Sequence, residues 1–312
     1  METKKLRLAL LAGGKSAERE ISLESGKQVF HALDKSRYEV VRHDPATDLP
    51  LLAREAKAID VALIILHGRM GEDGTIQGFL DSLEIPYQGS GVLGSAIAMN
   101  KILSKQLYVQ AGLPTAHYMV ADRLNPPQAS AAIDKLGLPV VIKPEHEGSS
   151  IGLTIVREQK DLRSAFEKAW SFDRRCVVEK YINGIEITAG VLGNEDLLAL
   201  PLIEICPDKR YEFFDYEAKY TPGATNEICP ARIAPELTEI AQQYARRAHN
   251  ALHCRGYSRT DMILSGDDLY ILETNTIPGM TATSLFPQAA AKAGIEFPQL
   301  LDRLIQLAME KH

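Results

Sequence analysis

Apolar positions along the chain follow two rhythms. Short strand-like runs at 6–12, 38–43 and 61–66, the first and last of them mostly aliphatic, are separated by stretches whose apolar residues recur every three or four positions. Bounded runs of this length read as buried strands, and the longer period reads as amphipathic helix. Gly13-Gly14 ends the first run, and a helix is predicted over 20–33 with Ser22 as its cap. Strands separated by helical or irregular sequence predict a parallel sheet. Further on, a helix is predicted over 94–112, strands at 140–144 and 153–156, a helix over 161–170 and a strand at 176–179. From 185 the chain is rich in strands (185–188, 189–192, 199–205), which predicts an antiparallel module, joined by a helix over 236–252. Phe297, Leu300, Leu301, Leu304, Ile305 and Ala308 form one face of a last helix, a surface for docking on the rest of the fold. The chain reads as an α/β protein, α+β toward its C-terminus, with modules at 1–92, 93–180 and 181–312.

The stretch 257–280, YSRTDMILSGDDLYILETNTIPGM, breaks the apolar pattern in an informative way. Two strand-like runs flank Ser265-Gly266-Asp267-Asp268, so a hairpin is predicted. Alternation puts Arg259 and Asp261 on one face of the first strand, and Ile271, Glu273 and Asn275 on one face of the second. These polar groups interrupt otherwise buried runs, where unpaired charge is costly. Two carboxylates and an amide offer the oxygen donors that Mg²⁺ takes, which favours a metal site over a solvated face.

Three loops carry further candidate chemistry. GGKS at 13–16 resembles the end of a P-loop, but that motif needs another glycine where Ala9 stands, and no GxGxxG pattern is present. Glu18 and Glu20 follow at a strand's carboxyl end, where open α/β sheets bind ligands; the plainer role for both is to complement the helix dipole. HGRMGEDG at 67–74 has three glycines among charges, a loop whose N–H groups could approach an anion. Lys143 ends a strand ahead of Glu147-Gly148-Ser149-Ser150-Ile151-Gly152, which reads either as a lid over phosphates or as a long hairpin turn. The polar, aromatic stretch 208–226 has little periodicity, as functional loops often do.

With 312 residues the chain is long enough for two or three cores. A net charge of −6 argues against a nucleic-acid surface, and the four cysteines are too scattered for zinc or a disulfide framework. The apolar run near the N-terminus is too short to span a membrane, and a cytoplasmic location is expected.

Seven segments in order, GGKSAEREIS, HGRMGEDGTIQG, IPYQGSGV, KPEHEGSSIG, EKYINGIEIT, DYEAKY, and RTDMI with LETNTIPGMT, resemble the D-alanine:D-alanine ligase family of the ATP-grasp superfamily. The resemblance spans essentially the whole chain. It implies three α/β modules, with ATP between the central and C-terminal ones, and ATP-dependent joining of two D-alanines through an acyl phosphate. By the same resemblance Lys101 and Lys143 hold the α- and β-phosphates, Glu179 and Lys180 flank the adenine, Glu186 takes the ribose, and Lys219 reaches the γ-phosphate. Asp261, Glu273 and Asn275 hold two Mg²⁺ or Mn²⁺ ions. Arg259 and the Gly279 N–H stabilise the acyl oxygen. Glu18 pairs with the first ammonium, Ser149 and Tyr220 link it to a closing loop, and His67 supports it. Ser284 and the Leu285 N–H take the second carboxylate. Ester-forming ligases commonly carry Phe at the Tyr220 position, so dipeptide synthesis is implied, and a homodimer is expected. Asn100, Phe214 and Thr283 depart from the residues usual in the family.

An ATP-grasp ligase for other amino acids, a nicotinamide oxidoreductase and a non-catalytic nucleotide-binding protein are the alternatives. The oxidoreductase lacks its glycine fingerprint, and the last would leave the metal triad without a purpose.

Overall fold

The computed structural model describes residues 4–125, 127–208, 210 and 223–310. β1 (Leu6–Ala12) lies between β2 (Tyr38–His43) and β3 (Val61–Ile65) in a parallel sheet, as the alternation predicts. Around this sheet are α1 (Arg19–Ala32), α2 (Leu49–Glu55) and α3 (Thr75–Ser82). Ser22 does not cap α1. Glu18 occupies the N-cap, and Ser22 is fully buried inside the helix, accepting from the Gly13 N–H at 2.8 Å and donating to the Ile65 carbonyl. Its hydroxyl thereby ties together the carboxyl ends of two strands and satisfies backbone groups that water cannot reach.

The helix predicted over 94–112 is two helices, α4 (Val92–Met99) and α5 (Lys101–Gln110). Asn100 separates them with an extended backbone, and its side-chain oxygen accepts from the Ile102 and Leu103 N–H groups. Asparagine suits this break because its side chain satisfies donors that have no partner in the first turn. The cap fixes Lys101 as the first residue of α5.

The second sheet, ordered β4-β7-β5-β6, is antiparallel and comprises β4 (Tyr118–Asp122), β5 (Val140–Pro144), β6 (Thr154–Val156) and β7 (Arg175–Lys180). Because β5 and β6 pair directly, the 147–152 segment is the connection of a hairpin. Two helices, α6 (Pro127–Leu136) and α7 (Leu162–Trp170), complete this region, and Phe166, Ala165 and Ala169 pack into its core with Val140, Ile142 and Val178. Trp170 stacks on Phe166 at 5.0 Å between ring centroids.

The third sheet is also antiparallel. It contains β8 (Ile185–Leu192), β9 (Leu198–Ala199), β10 (Ile203–Pro207), β11 (Thr225–Ile228), β12 (Tyr257–Ser265) and β13 (Asp268–Asn275). The two strands expected at 185–192 are one, and β11 emerges at the end of the aperiodic stretch. α8 (Pro235–Ala251) packs Ala241, Ala245 and Ala248 against Ile187, Val191, Met262 and Ile271.

After α9 (Leu285–Lys292), α10 (Phe297–Met309) returns to the first sheet. Leu300, Leu301, Leu304 and Ile305 share one core with Leu8, Leu10, Leu63 and Ile65, and with Leu192, Ile203 and Phe286 of the third region. Each of these four side chains is essentially inaccessible, and each contributes about 1.5–3 kcal/mol of burial as an upper bound. The first and third sheets are thus bound through a continuous core, while the second sheet has its own. No helix among the described residues is long and apolar enough to cross a membrane.

Candidate active site

A cleft of about 920 Å³ lies between the second and third sheets. Val141 and Ile155 line it from one sheet, Ile263 and Leu272 from the other, with Leu153 and Ile182 from connecting segments. Apolar walls on both sides suit a flat aromatic base. Glu179, Lys180 and Glu186 also line the cleft. The Lys180 ammonium reaches the Gly137 and Leu138 carbonyls at 3.3 Å each, while its backbone N–H bonds to His117.

Five charged groups meet at this cleft. Lys143 Nζ lies 2.8 Å and Lys105 Nζ 3.2 Å from Glu179 Oε1, all three side chains being almost wholly buried. Burial alone would raise the Glu179 carboxyl, but the two ammonium groups outweigh it and hold it below the usual range. Burial pushes Lys105 down to about 8. Lys101, one turn before Lys105, bonds to the Glu147 carbonyl and lies 3.8 Å from Glu273, and burial lowers it also. A cationic pocket of this kind can receive a polyphosphate.

The hairpin supplies the next wall. Register pairs Arg259 with Asn275 and Asp261 with Glu273, so these four residues share the face the alternation predicts. Ile271 does not join them. A bulge follows Asp261, Met262 pairs with Ile271, and both are buried in the core behind the sheet, while Leu272 lines the cleft beside Glu273. The extra residue reverses the alternation, which spacing alone does not reveal. Arg259 grips Asp261 through two bonds of 2.9 and 2.8 Å, Thr188 donates to its Oδ1 at 2.5 Å, and Asn275 Nδ2 donates to its Oδ2 at 3.0 Å. Asn275 spends its amide N–H here, so its carbonyl oxygen is the end suited to a cation. Among the described residues no cluster of three His, Cys, Asp or Glu side chains forms a metal cage. Two carboxylates and one amide do fit Mg²⁺ that completes its shell with phosphate oxygens and water.

A second cavity of about 1100 Å³ adjoins this face, between the first and third sheets. Glu18, His67, Ser149, Arg259, Gly279, Ser284 and Leu285, all singled out from the sequence, line it. Ser149 Oγ donates to Glu18 Oε1 at 2.5 Å. Glu18 is buried and faces the cavity, whereas Glu20 is exposed in the first turn of α1, where it complements the helix dipole. His67 is buried, with a hydrogen bond to the Ile277 backbone. Burial lowers its pKa against the pull of Glu18, and its Nε2 has no hydrogen-bond partner among the described residues. Ser284 is the N-cap of α9, and its Oγ accepts from Thr281 N at 3.1 Å. A Cβ on Gly279 would come within 3.0 Å of that Oγ, so a side chain there would crowd the chamber. Thr283 also lines this cavity.

Two glycine-rich loops serve the fold. In 67–74 the Gly68 N–H donates to Glu72 and the Met70 and Thr75 N–H groups donate to Asp73, so the N–H groups of the expected anion cradle are taken by the loop's own acidic side chains. Gly13 and Gly14 donate to Ser22 and Asp44, which supports the rejection of a P-loop. Gly13 has φ +104°, and a Cβ there would lie 2.6 Å from Asp44 Oδ1. Lys219, Tyr220 and Phe214 lie outside the described residues.

Several residues escaped the sequence reading. Lys105 carries no sequence signal beyond its one-turn spacing from Lys101, Thr188 and Leu272 depend on register, and Glu72 and Glu227 line the chamber from the first and third regions. Burial pushes the Glu72 carboxyl up to about 8, helped by Glu18, and burial also raises Glu227.

A cleft between two antiparallel sheets, closed by a Gly-Ser loop and opening into a charged chamber, defines an ATP-grasp ligase. Models of the D-ala D-ala ligase N-terminus match residues 7–48 and 42–90, and that of the D-ala D-ala ligase C-terminus matches 107–306. The chain is 71% identical over 310 residues to the D-alanine–D-alanine ligase of Syntrophobacter fumaroxidans, covering 99% of this chain and 100% of that one. The Bacillus anthracis D-alanine–D-alanine ligase complexed with ATP superposes with a TM-score of 0.85 at 36% identity, over 97% of each chain. The VanG D-Ala:D-Ser ligase of Enterococcus faecalis gives a TM-score of 0.85 at 30% identity, over 98% of this chain and 100% of that chain. The chain belongs to the D-alanine–D-alanine ligase family.

Proposed function

We propose that this chain joins two D-alanine molecules into D-alanyl-D-alanine, consuming ATP and releasing ADP and phosphate, for peptidoglycan precursor synthesis. One observation carries the reading. The 147–152 loop serves both cavities at once, with Glu147, Ser150 and Ile151 facing the cleft and Gly148 and Ser149 facing the chamber. A phosphoryl donor in one and an amino acid in the other would meet at this loop.

In the first step a carboxylate oxygen of one D-alanine attacks the γ-phosphorus. The new O–P bond forms as the bond to ADP breaks, giving an acyl phosphate. Lys101 and Lys143 hold the α- and β-phosphates, Glu179, Lys180 and Glu186 hold the nucleoside, and Lys219 reaches the γ-phosphate. Glu18 receives the ammonium of this D-alanine, with Ser149, Tyr220 and His67 supporting it. In the second step the amine of another D-alanine attacks the acyl carbon, the C–N bond forms as the C–O bond to phosphate breaks, and the proton lost from nitrogen leaves with the phosphate. Ser284 and the Leu285 N–H hold the second carboxylate. Arg259 and the Gly279 N–H meet the negative charge on the acyl oxygen. Asp261, Glu273 and Asn275 would hold two Mg²⁺ or Mn²⁺ ions, which supply charge neutralisation at the phosphates. The modules 1–92, 93–180 and 181–312 complete the reading, with a homodimer and a cytoplasmic location proposed on family resemblance.

The test is incubation with ATP, Mg²⁺ and D-alanine, scored for ADP and dipeptide. D-alanine should support ADP release and L-alanine should not, and chelation should stop the reaction until Mg²⁺ or Mn²⁺ is restored. The similarity to a D-Ala:D-Ser ligase makes D-serine the informative competitor. A preference for D-serine or D-lactate as the second substrate would overturn the assignment of product. Sedimentation at assay concentration tests the dimer.

A further inference from the structure

The 147–152 loop is anchored in two different ways. Its base belongs to the second region: Glu145 is held by Arg175 and by Asn100 Nδ2 at 2.8 Å, and the His146 N–H donates to Asp173 Oδ2 at 2.8 Å. Its first residue is reached from the first region. Arg69, in the loop after β3, places Nη2 3.0 Å from Glu147 Oε1 and 3.4 Å from Asp173 Oδ1. One guanidinium therefore bridges the loop's first residue and the acid that holds its base, beside the contact between Glu18 and Ser149 at the tip.

The tip is also strained. Ser149 and Ser150 have φ of 49° and 59°, and Met70, next to Arg69, has φ of 69°. Side-chain-bearing residues in this region persist where their surroundings hold them. The Lys101 ammonium meets the Glu147 carbonyl, so any displacement of Glu147 also moves an acceptor of a lysine in the nucleotide cleft.

We propose that Arg69 is a positioning residue that holds the 147–152 loop over the nucleotide, so that the first region of the chain sets affinity for ATP. The role of the loop rests on the ligase reading, but the contact itself does not. Arg69 is more than half exposed while Glu147 and Asp173 are mostly buried. Each pair taken alone is weak, and loss of both contacts is expected to cost roughly 3- to 10-fold in ATP affinity.

Arg69→Gln, Arg69→Lys, Glu147→Gln and the Arg69→Gln/Glu147→Gln double variant test this in the full chain. ATP binding by calorimetry and amide exchange over 146–152 are measured without D-alanine, and steady-state kinetics with it. Arg69→Gln should speed exchange in the loop and raise KM for ATP by roughly 3- to 10-fold, with kcat changed less than KM. Arg69→Lys should recover part of the loss, and the double variant should be no worse than the worse single one. Unchanged loop exchange and ATP affinity in Arg69→Gln would overturn the proposal, as would fully additive losses in the double variant. Faster exchange and weaker ATP binding in a protein whose wild type shows no D-alanine-dependent ADP release would sustain the latch and refute the ligase reading instead.

Discussion

Lys105 makes no contact expected of a substrate-binding group, yet it should control nucleotide affinity. Glu179 is buried between two ammonium groups, Lys143 at 2.8 Å and Lys105 at 3.2 Å. If Lys143 turns to a phosphate when ATP binds, Lys105 alone remains to neutralise the carboxylate. Lys105→Met keeps much of the apolar stem and removes the charge. Breaking a buried ion pair by deleting one partner costs about 3–5 kcal/mol, and the remaining Lys143 should hold the loss near the lower end. A loss of about 3 kcal/mol corresponds to a fall in Tm of roughly 6–12 °C for a domain of this size. Lys143 would then be tied to Glu179, and KM for ATP should rise by at least tenfold, while KM for D-alanine changes little. Calorimetry on the ligand-free protein and steady-state kinetics read the two effects separately. Glu179→Gln placed on Lys105→Met should restore more than half of the lost stability, because the uncompensated charge is gone. Lys105→Met with an unchanged Tm and an unchanged KM for ATP would refute the charge argument.

Three further outcomes are expected. Arg259→Ala should retain ATP binding while kcat falls by about 10²- to 10³-fold, the usual effect of removing an oxyanion donor; near wild-type turnover would show that Arg259 serves only to orient Asp261. Asn100→Asp keeps a helix cap but exchanges a 2.8 Å donor to Glu145 for a second carboxylate, so a loss of about 1–3 kcal/mol by denaturant unfolding is expected, with no loss arguing that Arg175 suffices. Glu72, raised from 4.5 to about 8 by burial and by Glu18, holds its proton longer in the folded state than in the unfolded one. Its contribution is present below about pH 4.5 and lost as pH rises toward 8, so the stability of wild type relative to Glu72→Gln should decline across that window. Parallel profiles for the two proteins would count against this.

Much of the site was legible before the fold was known, for reasons particular to a few residues. Asp261, Glu273 and Asn275 stood out because polar groups inside apolar strand runs are costly unless they have partners, and strand alternation placed them on one face. The order of βα elements implied a parallel first sheet, and the face of α10 announced a helix that docks. These are local properties, carried by spacing and residue type. The Ser22 cap, the unbroken 94–112 helix and the placement of Ile271 failed where a single local signal met a competing one: a buried hydroxyl bond, an asparagine cap and a bulge.

What only the tertiary structure decided is which distant segments meet. Lys105 next to Glu179, Thr188 against Asp261, and Arg69 across to Glu147 are separated along the chain and brought together by sheet register and by the packing of three sheets. No spacing rule predicts such pairs, because each distance depends on where whole strands and loops come to rest. The sequence by itself determined the chemistry available, oxygen donors on a hairpin and lysines at helix and strand ends. Packing decided how that chemistry is divided, with charges buried together in one cleft, a second chamber beside it, and one short loop reaching both.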